Sequence, residues 1–276
     1  MKKLLALLLV ILCLSGCAAE PSRPDPENGI IALLDTGIST TAIARESVLP
    51  GWNYVTGSEG TEDRINHGTA VASVILGCES AGVEATAPDA RIVPLVIADK
   101  VDGSVQSVSP DVLAQAIRDS VDKYDACIIN VSLGIRTDDP ALRDAIAYVQ
   151  KQGALVIAAV GNAGESEKRY YPAAYEGVLA VGSHDKDLKV SDFTQQNGTA
   201  DILAPGEDIW LASRSGKIYG TRGTSYATGY VSAAAAQFWT RHPELSAGEV
   251  FQAILSSAQT VDGWPILDTD ALLDRR

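Results

Sequence analysis

From Gly29 onward, short runs of apolar residues alternate with longer amphipathic stretches, and this pattern restricts the fold more than any other feature of the chain. The runs at 30–34, 91–97, 126–131, 154–159, 178–181 and 201–203 are apolar at nearly every position rather than at every second one. A strand of that kind is buried on both faces, which is the condition of strands in parallel sheets, where each crossover lays a helix on the sheet. Helices are expected at 68–76, 111–123, 140–150, 225–241 and 247–256. Pro110-Asp111 and Asp139-Pro140 supply start signals, and Gly153 a stop. No repeat, low-complexity tract or linker breaks the sequence. Residues 29–276 therefore read as one α/β domain, a mostly parallel central sheet with helices on both faces.

What precedes that domain reads as an address. Met1-Lys2-Lys3 is positively charged, and residues 4–14 form an apolar run of eleven. A transmembrane helix needs about 20 such residues, whereas a signal-peptide core needs fewer. The run ends in Leu14-Ser15-Gly16-Cys17, which looks like a bacterial lipobox: small residues fit a peptidase cleft and the Cys17 thiol accepts a diacylglycerol. An ordinary secretory signal cut near Ala18-Ala19 is the alternative. On the lipoprotein reading, 1–16 is the signal peptide. Cys17 is the lipidation site, and 17–28, with its prolines and mixed charges, is an extended tether that keeps the domain close to a membrane of the cell envelope.

The net charge of −13 argues against nucleic acid or an anionic lipid surface as partner, because both require a basic face. The three histidines (His67, His184 and His242) form no His/Cys cluster with zinc-ligand spacing. Cys78 and Cys127 stand alone and far apart. They fit either one disulfide in an exported protein or two buried thiols packed as small hydrophobes.

Several polar residues sit where open α/β sheets place their sites, at the carboxyl ends of strands. The first strand ends in Asp35-Thr36-Gly37. Aspartic proteases use the same triplet but need two copies, and this chain has one, so that chemistry would require a dimer. Asp35 is also an ordinary turn-capping residue. His67 opens a helix in Asn66-His67-Gly68-Thr69, a place where a histidine is as often a surface residue. Asn162, in Gly161-Asn162-Ala163-Gly164, is a common turn residue, but its side-chain amide is also a donor of the kind a developing oxyanion needs. Ser225, in Arg222-Gly223-Thr224-Ser225-Tyr226, caps a small-residue helix or serves as a nucleophile at its start.

In the order Asp…His…Ser these residues resemble the subtilisin-like (subtilase) serine proteases rather than the chymotrypsin or α/β-hydrolase groups. The resemblance spans roughly residues 30–258. It includes Asp35-Thr36-Gly37, His67-Gly68-Thr69, Ile129-Asn130-Val131-Ser132-Leu133-Gly134, Tyr171-Pro172-Ala173, Ala180-Val181-Gly182, Leu203-Ala204-Pro205-Gly206 and Gly223-Thr224-Ser225. It implies a subtilisin-like three-layer fold and a serine endopeptidase acting on extended or unfolded peptide segments as a monomer. The implied catalytic residues are Asp35, His67 and Ser225, with Asn162 and the Ser225 N–H as oxyanion hole. Ser132-Leu133-Gly134 and Gly103-Ser104-Val105 would pair with the substrate backbone. Two other readings remain: an inactive subtilase fold kept for binding, and a dimeric aspartic protease built on Asp35.

Where the chain departs from the family pattern, expectations change. Only about a dozen residues separate the signal from the first strand, which leaves no room for the usual long folding prodomain. Family members often hold calcium near the start, but here Ile43-Ala44 and the 78–82 stretch offer Glu79 as the sole carboxylate, too few for six to eight oxygens. No metal and no cofactor are expected. Tyr226 stands where the family has Met, Gly229-Tyr230 where it has Pro-His, and Ala70 replaces a second His. Gly229 is expected to cost about 1 kcal/mol within its helix. The charged loop at 165–170 should lie near the pocket for the P1 side chain, with its charges facing solvent.

Overall fold

The computed structural model describes residues 24–275. The signal peptide and lipidation site expected at 1–16 and Cys17 lie outside the described residues. In chain order the elements are β1 (Ile30–Asp35), β2 (Trp52–Asn53), α1 (Gly68–Leu76), β3 (Arg91–Val96), β4 (Ala98–Val101), β5 (Ser104–Ser107) and α2 (Pro110–Asp122). There follow β6 (Ile128–Val131), α3 (Pro140–Lys151), β7 (Leu155–Ala159), β8 (Leu179–His184), β9 (Ile202–Pro205), β10 (Ile209–Ala212) and β11 (Ile218–Thr221). The chain closes with α4 (Thr224–Arg241), α5 (Ala247–Ser257), β12 (Gln259–Val261), β13 (Trp264–Ile266) and α6 (Thr269–Leu273).

The central sheet runs β12-β13-β9-β8-β7-β6-β1-β3-β2, and all its pairings are parallel except the β12–β13 hairpin. Strand order reverses beside β1: the chain goes from β1 to β3 on one side, then to β6, β7, β8 and β9 on the other. That switch leaves a crevice at the carboxyl edge between diverging connections. Within β1, Ile31 and Leu33 enter the core on one face, while Ile30, Ala32 and Leu34 enter the core on the other, and all five are buried. This explains why the run reads as apolar without alternation. The first face is covered by α1, α4 and α5, the second by α2 and α3.

The expected strands and helices are present, with ends moved by a few residues at most, apart from an extension of the strand at 178–181 to His184. Three short pairs fall below the resolution of the pattern. The hairpins β4–β5 and β10–β11 are partly exposed, and β12–β13 is too short to show a period. The extended tether expected up to Asn28 is corrected: residues from Pro24 dock onto the domain. Pro26–Asn28 form a 3-10 turn, capped by Asp25 and ended by left-handed Gly29. Arg91 donates to the Asn28 carbonyl at 3.1–3.2 Å, and Asn28 Nδ2 to Asp125 at 3.4 Å. The prolines that suggested an extended spacer favour a tight turn equally well. Cys78 and Cys127 are free and buried, which settles the choice for thiols, and burial pushes the Cys127 thiol up to about 12.

Candidate active site

Asp35, the last residue of β1, is wholly buried. Its Oδ1 accepts from the Thr36 N–H at 2.7 Å and lies 2.7 Å from His67 Nδ1. A carboxylate can only accept, so Nδ1 carries the proton and Nε2 is left as an acceptor. The imidazole sits above its ordinary pKa: burial pulls it down, but the charge and hydrogen bond of Asp35, with a contribution from Asp63, outweigh that loss.

His67 is held by an apparatus the sequence reading missed. Asp63, wholly buried, accepts from Thr36 Oγ1 at 3.0 Å, from the Ile65 and Asn66 N–H groups at 2.9 and 2.8 Å, and from Thr69 N and Oγ1 at 3.0 and 2.6 Å. Thr36 Oγ1 in turn accepts from the Gly68 N–H at 2.8 Å. One carboxylate thus serves the first turn of α1, whose N-cap His67 makes no side-chain cap of its own, and ties it to the residue after Asp35. The available signal was an acidic residue within a turn of a helix start. Gly68 is obligatory there, because a Cβ would lie 2.3 Å from the Gly37 carbonyl oxygen.

Ser225 lies in the first turn of α4 and is 6% exposed. Its Oγ donates to the Ser132 carbonyl at 2.9 Å, so in this resting rotamer the hydroxyl is engaged with the strand-end segment after β6 rather than with His67. Asn162, just after β7, accepts on Oδ1 from Thr224 N and Oγ1, both at 2.9 Å. A backbone N–H can only donate, which fixes the amide orientation and leaves the Nδ2 group for the cleft. Tyr226 packs its ring 5.5 Å from the His67 ring and its hydroxyl accepts from Thr221 at 3.1 Å, so the family's Met position is filled by an aromatic that buttresses the imidazole. Gly229 sits where α4 crosses α1, with a Cβ there reaching 3.4 Å from Val71 and Val74. The glycine expected only to weaken α4 lies at the contact between the two helices that carry Ser225 and His67.

His67, Asn162 and Ser225 share one cleft of about 310 Å³, lined also by Gly161, Ser132-Leu133-Gly134 and Tyr170. Gly103-Ser104-Val105 do not line it. They form the exposed tip of the β4–β5 hairpin, which is tied to the His67 loop through buried Asp99, acceptor for Asn53 at 2.8 Å and Arg64 at 2.7 Å. The loop expected near the cleft does border it, but through Tyr170; the Lys168 carbonyl is taken by Asn197 Nδ2 at 2.7 Å and by Gln195. Around Ile43-Ala44 and residues 78–82, Glu79 is the only carboxylate facing a shared recess, and Ser80 Oγ is given to the Gly216 carbonyl. That donor set does not fit a calcium ion, and no group of three His, Cys, Asp or Glu gathers as a metal centre among the described residues.

A carboxylate-braced imidazole and a serine on a helix N-terminus, set at the carboxyl edge of an open parallel sheet, are the mark of a serine hydrolase. Comparison with known proteins narrows the class. The Peptidase_S8 profile, Subtilase family, matches residues 27–273. The Major intracellular serine protease of Bacillus subtilis (strain 168) is 34% identical over 249 residues, covering 84% of this chain and 76% of that protein. Subtilisin Savinase of Lederbergia lenta is 32% identical over 232 residues, covering 84% and 83%. Among solved structures, the self-cleaved protease domain of PatA superposes with a TM-score of 0.74 at 29% identity, over 91% of this chain and 97% of that one. The prenylagaramide maturation protease PagA gives 0.72 at 31% identity, over 91% and 94%. The chain belongs to the subtilase family of serine proteases. The rival reading of Asp35-Thr36-Gly37 as half of an aspartic protease falls with that, its carboxylate being wholly buried and bonded to His67.

Proposed function

We propose that the protein is a serine endopeptidase that cleaves extended peptide segments at the cell envelope, held there by a lipid on Cys17. The observation that carries the enzymatic part is the 2.7 Å Asp35–His67 pair, whose imidazole lines the same cleft as Ser225 and Asn162. Ser225 Oγ rotates from the Ser132 carbonyl to His67 Nε2, which takes its proton as the oxygen attacks the scissile carbonyl. Asp35 keeps the imidazole in the productive tautomer and stabilises the imidazolium. The oxyanion is received by Asn162 Nδ2 and the Ser225 N–H, a first-turn donor with no helical acceptor. His67 then protonates the leaving amine, and water repeats the sequence on the acyl-enzyme. Ser132-Leu133-Gly134 offers backbone groups to an extended substrate, which gives affinity without reading side chains. Gly103-Ser104-Val105, on the exposed hairpin, extends that recognition away from the bond being cut.

The protein works as a monomer and without a metal. Metal analysis of the purified protein tests the second point, and one tightly held calcium per chain would overturn it. Labelling by a fluorophosphonate probe, lost in Ser225→Ala, together with cleavage of unfolded casein by wild type alone, tests the peptidase reading. A folded wild type that neither labels nor cleaves would favour a binding protein. Incorporation of labelled fatty acid in the producing cell, abolished by Cys17→Ala, tests the anchor.

A further inference from the structure

The residue that donates the scissile carbonyl has its carbon at Ser225 Oγ and its oxygen at Asn162. With its backbone laid along Ser132-Leu133-Gly134, as proposed above, its side chain faces the recess between that segment and the one carrying Gly161 and Asn162, both of which line the cleft beside Ser225. The two walls are glycines where they face each other, yet the space between them is not empty. The Tyr170 ring lies against both: a Cβ on Gly161 would meet ring carbons at 2.8–3.2 Å, and a Cβ on Gly134 would meet Tyr170 Cβ and Cδ1 at 3.4 and 3.6 Å. Gly161, at φ +105°, is thus doubly required, by its backbone and by the ring packed on it.

The ring is also pinned. Tyr171, the next residue, exchanges two backbone hydrogen bonds with Ile135 at 2.8 and 2.9 Å, which locks the segment beside Gly134. Arg136 donates from Nε to the Tyr170 hydroxyl at 3.1 Å and stands 5.7 Å from its ring centroid. On the other side, Gln195 Nε2 donates to the Ser166 carbonyl at 3.1 Å and holds the incoming loop.

We infer that Tyr170 closes the inner end of the P1 recess, so that the enzyme accepts small P1 residues (Gly, Ala, Ser) and rejects Phe, Leu and Lys. The assignment rests on Ser225 acting as the nucleophile of the peptidase proposed above. Close packing makes the exclusion steep, because a large side chain cannot enter without displacing a ring that is packed on Gly161 and Gly134 and bonded to Arg136 through its hydroxyl.

The test is a series of peptide anilides that differ only at P1, read as kcat/KM for wild type, Tyr170→Ala and Tyr170→Phe. Wild type should prefer Ala over Phe by about tenfold or more, Tyr170→Ala should shift that ratio toward Phe by a similar factor, and Tyr170→Phe should keep the wild-type order. A wild type that favours Phe or Leu, or a folded Tyr170→Ala with an unchanged ratio, would overturn the assignment while leaving the peptidase intact. Should Tyr170→Ala fail to fold, the P1 profile of wild type on a denatured proteome decides by itself: large P1 residues at the cut sites refute the inference. Fluorophosphonate labelling of Ser225 is read in parallel. A wild type that neither labels nor cleaves any member of the series refutes the peptidase, and the P1 assignment with it.

Discussion

The helices on the two faces of the sheet differ in character, apart from α5, which lies on the face of α1 and α4 but caps itself through Ser246. On one face, α2 and α3 are amphipathic, begin with proline and are capped by their own side chains: Ser109 accepts from Val112 N at 3.4 Å, and Asp139 from Ala141 and Leu142 N at 2.9 and 3.1 Å. On the other, α1 and α4 are buried almost all round, and neither N-cap residue, His67 or Gly223, caps with its side chain. Their first turns are served from elsewhere, α1 by Asp63 and Thr36 and α4 by Asn162. Helices that only hold the fold satisfy their own ends. Helices that carry the chemistry leave theirs to neighbouring loops, so the same contacts that satisfy the backbone also position His67 and Ser225.

The sharpest way to separate the faces is to remove one group from each and compare rates with stabilities. Ser225→Ala, on α4, should lower kcat about 10⁶-fold with unchanged melting, the scale of loss subtilisins show, as measured with a chromogenic peptide and a thermal scan. Asn162→Ala should cost about 10²–10³ in kcat, again a subtilisin magnitude, with KM little changed. The base must be neutral to accept a proton, and His67 sits above 6.5, so the acid limb of kcat/KM should have its midpoint above that value and activity should rise with pH through it. Asp63→Asn, which removes one of the charges that raise it, should move the midpoint down. An unmoved midpoint would mean that Asp63 only organises the loop. On the other face, Asp139→Ala should cost about 1 kcal/mol and a few degrees of Tm with kcat within twofold of wild type. A large loss of kcat there would break the contrast.

The faces also differ in how much the sequence discloses. The spacing of Leu113, Ala116 and Ile117, and of Leu142, Ile146 and Val149, announces α2 and α3 because each buries one stripe. The helix at 225–241 has no such stripe and is legible only as a run of small residues behind a serine. The order of Asp35, His67, Asn162 and Ser225 was readable because each sits in a short motif at a strand end or helix start. Asp63 was not, and of Tyr170 only the place of its loop near the cleft was, its charged neighbours drawing the attention. What makes them matter is a set of contacts with distant segments, Thr36 and Thr69 for one, Gly134 and Gly161 for the other, and neither leaves a local pattern. Pro24–Asn28 deceived in the opposite direction, since proline and charge describe a spacer and a docked turn equally well.

That docked turn fixes an orientation. Pro26–Asn28 lead directly into Ile30 at the amino end of β1, while Asp35 ends the same strand at the cleft, a rise of roughly 17 Å through the sheet. The Arg91 and Asp125 bonds keep that entry from swinging. Any support that grips the chain upstream of Pro24 therefore meets the domain at its base, with the cleft opening on the far side. Were the lipid proposed at Cys17 that support, substrates would arrive from the surroundings rather than from beneath, and a longer leash would change how far the cleft reaches more than which way it looks.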